Sequence, residues 1–157
     1  MASNDAYTVH HNPFSVCSIM TRMTLAMRKP TTSPDPNTFH EQLVDIYKDE
    51  QLSEPFLTTV NPKGQVPAMT GGSLSEPLTD SLDITYYLCD LYPNLAPAEH
   101  KEVIYRLLKE LHQIQYLSLS FTPAQNRAGG ITVAIEKLAA QPDISERYRE
   151  ALKFKAA

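Results

Sequence analysis

Cysteine is scarce in this chain of 157 residues, with Cys17 and Cys89 its only two thiols. Two cysteines cannot staple a small secreted scaffold, and the count fits a reducing cytosol. Excess positive charge is missing as well. The formal net charge is −4 and Lys and Arg are scattered, which argues against a nucleic-acid or anionic-membrane partner. No apolar run approaches the length that spans a bilayer, so no transmembrane helix is expected. The opening Met1-Ala2-Ser3-Asn4-Asp5-Ala6 has neither a charged n-region nor an apolar h-region, so no secretory leader is expected. There is no Cys-x-x-Cys, no His-Glu-x-x-His, and no Walker or Gly-x-Gly-x-x-Gly pattern, and no metal site is expected.

What remains is an ordinary globular composition, 42% hydrophobic, long enough for one domain or two small ones. Tyr7 to His10 reads as a strand that ends in a turn at Asn12-Pro13. Ser15 to Arg28 carries Ile19, Met20, Met23, Leu25 and Met27 at roughly helical spacing, and Lys29-Pro30 stops it. Met20, Met23 and Met27 read as core packing. Pro30 to Thr38 has loop composition, with three prolines. Leu43, Val44, Ile46 and Tyr47 suggest a second strand, and a short irregular helix from Ser53 or Thr58 to Val60 fits before Asn61-Pro62. A third strand closes at Met69, Gly71-Gly72 makes a hairpin turn, and Leu74 to Leu78 is a fourth short strand. Ser81 to Leu91 is a helix with Cys89 on its buried side. The break at Tyr92-Pro93-Asn94-Leu95-Ala96-Pro97 places a boundary between residues 1–93 and 97–157. Beyond it lie a long amphipathic helix from Ala98 to Phe121, then helical pieces at Ile131 to Ala140 and Ser145 to Lys155, divided by Pro142. The order βαβαββα followed by helices predicts an α+β fold with a helical appendix.

The richest segment runs from Asn61 to Ser81. Pro67 lies inside a strand, where it removes a ladder donor, so the strand should stop pairing there. Val66 then has a backbone N–H and C=O to offer an extended peptide. Asp80-Ser81 opens the next helix, whose unpaired N–H groups and positive dipole end favour a carboxylate. A strand edge beside an anion-binding helix start suits a short acidic peptide. Ser15-Val16-Cys17-Ser18 occupies a second helix start, where a thiolate is stabilised and a serine hydroxyl can donate to it. The same residues serve equally as an N-cap and a small buried thiol.

Together these pieces make residues 1–93 similar to the thioredoxin-like domain of the glutathione S-transferase superfamily. Three segments carry the resemblance: Ser-x-Cys-Ser-x-x-x-Arg at Ser15 to Arg22, Gln65-Val66-Pro67, and Asp80-Ser81 with Ile84 and Tyr87-Leu88. The first resembles the zeta-class signature, whose members include glutathione-dependent cis–trans isomerases. General features are similar to glutathione transferase-like proteins of filamentous fungi, some of them in specialised metabolism. The resemblance implies a thioredoxin-like N-terminal domain followed by a shortened all-helical C-terminal domain. It implies that Ser15 hydrogen-bonds the glutathione sulfur, with Cys17 and Ser18 nearby. It further implies that Val66, before a cis Pro67, pairs with the cysteinyl backbone and that Asp80 and Ser81 hold the γ-glutamyl end. It implies that Gln65, and less directly Lys63, contacts the peptide backbone or the glycine end. Val16 stands where the zeta signature has a second serine, and Asp80 where the family commonly has Glu or Gln.

The implied activity is cytoplasmic attack of the glutathione thiol on an electrophilic small molecule, by conjugation or cis–trans isomerisation, in a homodimer. A non-catalytic binding or dimerisation module is the alternative, and a redox protein using Cys17 alone is a third reading. Tyr105, Lys109, His112 and Tyr116 share one polar-aromatic helix face. Tyr105, His112 and Tyr116 are candidate substrate contacts, although such a face equally suits a dimer contact or a solvated surface. His10 and His11 are neighbours on a strand end and point to opposite sides, which disfavours a shared metal.

Overall fold

A computed structural model of the chain describes residues 5–114 and 128–156. These fall into two compact units, residues 5–43 with Val66–Ile114, and Val44–Gln65 with residues 128–156.

The first unit is built on a three-stranded sheet in the order β2-β1-β3. Strand β1 (Asp5–His11) is central, and Tyr7, Val9 and His11 are buried while the residues between them are not, the two-residue period of a strand. Strand β2 (Asn37–Leu43) runs parallel to it, from Asp5 opposite Asn37 to His11 opposite Leu43. Parallel neighbours need a long crossover, and helix α1 (Val16–Met27) supplies it. Strand β3 (Ala68–Gly71) is antiparallel to β1, with His10 opposite Ala68 and Tyr7 opposite Gly71. Helix α2 (Ser81–Leu91) then packs on α1. The core joins Tyr7, Val9, Leu25, Met69, Ile84, Leu88 and Tyr92. Helix α3 (Lys101–His112) follows and docks on α2 through Tyr105, whose ring stacks on Tyr86 with centroids 4.4 Å apart.

The Gly71-Gly72 turn forms as its composition predicts. Both residues have positive φ, 86° and 56°. At Gly72 a Cβ would stand 2.2 Å from the Tyr7 ring, so the close approach as well as the φ requires glycine. The Tyr7 hydroxyl lies 2.8 Å from that of Tyr87 and 3.0 Å from that of Ser73. Burial pushes its phenol up to about 12.

Three local expectations are corrected. The second strand is Asn37–Leu43, not Leu43 to Tyr47. Asp45 closes a turn instead: its carboxylate accepts the Tyr47 N–H at 3.0 Å, and its carbonyl accepts those of Lys48 and Glu50. An Asx turn of this kind competes with extended backbone and wins over β-propensity. The fourth strand of the βαβαββα order shrinks to a single bridge, Met69 opposite Leu78, while the short irregular helix expected to end at Val60 forms as a 3-10 turn and a π-helical turn. Met23 and Met27 are 62% and 57% exposed, because the inner face of α1 is Ser18, Thr21 and Leu25. Small polar residues there allow close packing, while the methionines occupy the other side. Cys89 is buried, as expected, and burial raises its thiol pKa.

The second unit packs a 3-10 turn (Glu50–Leu52) and a π-helical turn (Phe56–Val60) against helices α4 (Ala128–Ala139) and α5 (Glu146–Ala156). Its core is Leu52, Leu57, Ile135, Tyr148 and Leu152. Ser145 caps α5 by accepting the Tyr148 N–H at 3.0 Å. The Tyr148 hydroxyl donates to the Leu52 carbonyl at 2.6 Å. The helical pieces fall where the sequence predicts them, on either side of Pro142. Helix α3 ends at His112, capped at Gln113, where the sequence predicts a helix continuing to Phe121; residues 115–121 lie outside the described residues.

Candidate functional site at one end of the sheet

Three segments of the first unit converge because of strand register. Strand β1 ends at His11 and leads directly into the Asn12–Ser15 turn. Strand β3 begins beside that end, with Ala68 opposite His10. Leu78 pairs antiparallel with Met69, so the chain from Leu78 to Ser81 runs back toward the same end. The turn bearing Ser15, the Val66-Pro67 pair and the start of α2 therefore share one edge of the sheet.

Ser15 is the N-cap of α1. Its hydroxyl oxygen accepts the Ser18 N–H at 3.3 Å, satisfying one of the helix's orphan donors. The Ser15 O–H hydrogen is left without an acceptor among the described residues. Asn12 builds the turn that holds it. This residue is 2% exposed; its carbonyl accepts the Ser15 N–H at 3.1 Å and its side-chain oxygen the Phe14 N–H at 3.0 Å. Ser18 lies behind the turn, fully buried, and its hydroxyl accepts the Asn12 N–H at 3.3 Å. It supports the turn and is not open to a ligand, whereas Cys17 is half-buried. Asn12 escapes a search for reactive side chains, because its work is done through backbone contacts. The Asn-Pro pair just before a helix cap is the one signal that marks it.

The Val66–Pro67 peptide bond is cis. Pairing in β3 starts only at Ala68, so the strand stops at Pro67 as its chemistry requires. The N–H and C=O of Val66 take no hydrogen bond from any described residue. Asp80 caps α2, its carboxylate accepting the Leu82 N–H at 2.8 Å. Ser81, the first helical residue, is 7% exposed. Its carbonyl accepts the Thr85 hydroxyl at 2.8 Å, while its own hydroxyl and N–H have no partner among the described residues. An unpaired N–H and hydroxyl at a helix start make an anion-accepting position.

Beneath this edge, His11 Nε2 lies 3.3 Å from the Glu41 carboxylate, which also takes Arg22 Nε at 2.9 Å. Arg22 therefore ties α1 to β2. Burial, then the nearby Arg22 cation, lowers the His11 pKa, opposed by Glu41. Its Nδ1 is buried without a partner, which fits a neutral ring protonated at Nε2. His10 faces the other way and contacts the Thr70 hydroxyl at 3.1 Å; burial lowers its pKa too.

The remaining sequence candidates stand elsewhere. Tyr105 is engaged in packing, with its ring on Tyr86 and its hydroxyl donating to Asp90 at 3.3 Å. His112 contacts the Leu108 carbonyl of its own helix at 2.8 Å through Nδ1. Tyr116 lies outside the described residues. Lys63 and Gln65 belong to the second unit, in a turn organised by Asn61. Among the described residues no cluster of His, Cys, Asp or Glu is suited to a metal, and no helix is long and apolar enough to cross a membrane.

Residues 10–98 match the family described as glutathione S-transferase, N-terminal domain. No curated protein sequence matches the chain. Among solved structures, the chain is similar to a glutathione transferase homolog from Drosophila mojavensis with bound glutathione, at 19% identity and a TM-score of 0.54, covering 95% of this chain and 62% of that one. It is also similar to a glutathione S-transferase from the Antarctic clam Laternula elliptica, at 20% identity, a TM-score of 0.55, and coverages of 96% and 61%. A third is glutathione transferase Omega 1C from Trametes versicolor, at 15% identity and a TM-score of 0.56, covering 96% and 67%. The chain thus spans less than two thirds of the length of the first two, and at these identities the likeness is one of fold.

Proposed function

Because the chain belongs to the glutathione S-transferase family through its N-terminal domain, we propose that it binds reduced glutathione and activates its thiol for an electrophilic small molecule. The observation that carries this reading is the Ser15 hydroxyl, held as a helix cap with its O–H free to donate. Unused hydrogen-bonding groups at the same edge support the fit: the Val66 N–H and C=O match an extended peptide, and the Ser81 N–H and hydroxyl match a carboxylate.

Glutathione bound there supplies a sulfur nucleophile, giving a stable conjugate or, when it is released unchanged, a cis–trans isomer. Ser15 donates its O–H to the sulfur and favours the charged form, because a hydrogen bond to an ionised group is stronger than one to the neutral group. The first-turn N–H groups of α1 add a positive partial charge beside it. Val66 fixes the cysteinyl backbone by strand-like pairing. Ser81 receives the γ-glutamyl carboxylate, and the Asp80 carboxylate faces the ammonium at the cost of part of its capping bond. Cys17 stands one turn edge away and Ser18 supports the turn from behind. Tyr105 and His112 contribute through α3 packing in this reading.

The zeta-like run from Ser15 to Arg22 makes isomerisation one of the two outcomes without selecting it, and a homodimer in the cytoplasm is the setting that goes with the reading. Calorimetric titration with glutathione, followed by product analysis with a panel of electrophilic alkenes, is the test. Saturable binding and either conjugate or isomer are expected. Absence of binding at millimolar glutathione sinks the proposal, while binding without any turnover leaves a non-catalytic glutathione-binding module.

A further inference from the structure

We propose that Glu41, on the edge strand β2, is a positioning residue for thiol activation, because it clamps both ends of the turn that presents Ser15. Its role rests on the Ser15 reading above and brings in a strand outside the three segments that converge on the site.

The two ends of the turn meet on one atom. His11, the last residue of β1, brings Nε2 to 3.3 Å from Glu41 Oε2, and Arg22 Nε lies 2.9 Å from the same oxygen. Register explains the meeting: Glu41 is paired with Val9, so its side chain points to the face that Val9 and His11 share. His11 leads directly into Asn12, whose carbonyl accepts the Ser15 N–H at 3.1 Å. Arg22 stands on α1, about two turns beyond the Ser15 cap. One carboxylate oxygen therefore fixes the strand before the turn and the helix after it. Any shift of α1 against β1 carries the Ser15 hydroxyl with it, since that hydroxyl caps the helix.

Magnitudes favour a role in position over one in stability. The Arg22 and Glu41 side chains are 38% and 44% exposed, and ion pairs this open add little to folding. A displacement of about 1 Å, by contrast, is enough to cripple a catalytic contact. His11 is buried with its Nδ1 unpartnered, which leaves Nε2 and its contact with Glu41 to hold the strand end. Charge and position also pull in opposite directions. A carboxylate acting through space raises the pKa of a nearby thiol, so removing its charge alone favours the thiolate. Loss of the clamp does the reverse, by withdrawing the Ser15 donor.

The test is an ultraviolet titration of glutathione bound to the full chain, in wild type, Glu41→Met and Glu41→Gln. Hydrogen exchange of the Phe14 and Ser15 amides is measured beside it, without glutathione. Methionine keeps the stem and removes the acceptor, whereas glutamine keeps an oxygen there and loses only the charge. Glu41→Met should raise the thiolate transition by roughly one pH unit and quicken exchange of both amides about tenfold, at a nearly unchanged urea midpoint. Glu41→Gln should stay close to wild type in all three. A transition that moves down in both variants reports charge through space and overturns the proposal, as does one that stays fixed in Glu41→Met. Wild-type protein that binds no glutathione overturns the function reading and this role with it. Unaltered amide exchange in Glu41→Met, with glutathione bound normally, overturns the clamp alone.

Discussion

The Ser18 N–H donates to the Ser15 hydroxyl oxygen at 3.3 Å, so the residue proposed to touch the glutathione sulfur is also the one that starts its helix. One oxygen serves two ends: its lone pair satisfies the helix and its hydrogen faces outward. Stability and chemistry are therefore separable at this position. Ser15→Ala should cost about 1 kcal/mol of stability through the lost cap and should also abolish thiol activation. Ser15→Asp restores the cap without a donor, so it should recover denaturant stability but not turnover. Recovery of activity in Ser15→Asp contradicts the assignment.

Asn12 should behave as a positioning residue. Its side-chain oxygen accepts the Phe14 N–H at 3.0 Å, so Asn12→Ala removes a bond that holds the turn and should destabilise by about 1 kcal/mol. Displacing the Ser15 turn should lower kcat more than it raises KM for glutathione. Paired unfolding and steady-state measurements check this, and an effect on KM alone argues against it.

The two strand-end histidines set an acid limit. His10 and His11 both have folded-state pKa values below 6.5. Below pH 6.5 the unfolded chain takes up these protons before the folded chain does. Their contribution is thus fully present above that value and is lost as pH falls through the lower folded-state range. His11→Gln should reduce this loss. Urea midpoints at about pH 7.5 and about pH 5 give the comparison, and an unchanged pH dependence in the variant counts against it.

Gly72 should tolerate no side chain. A Cβ would meet the Tyr7 ring at 2.2 Å, and φ is +56°. Gly72→Ala should cost about 2–4 kcal/mol through steric displacement and a disfavoured backbone. A calorimetric Tm close to the wild-type value speaks against that packing.

Much of this was readable in the residues because the signals are local and chemically stiff. Ser15 before a helical run, paired glycines at 71–72 and a proline beside Ala68 each leave the backbone few options. The misplaced second strand shows the limit. Ile46 and Tyr47 have β-propensity, yet Asp45 offers turn hydrogen bonds that a propensity scale does not count. Met23 and Met27 show another limit, since periodicity finds a helix but does not say which face turns inward. Asn12 is marked only by the Asn12-Pro13 pair, which signals a turn but not what the side chain does in it; its role comes from the buried turn that it builds.

The most direct test of the thiol-activation claim is the ionisation of glutathione bound to the protein, read by the ultraviolet absorbance of the thiolate across pH. Wild-type protein should show the thiolate forming well below the pH at which free glutathione ionises. Ser15→Ala should still bind glutathione but shift that transition back toward the free value. The same ionisation curve in both proteins, with glutathione bound in each, contradicts the account.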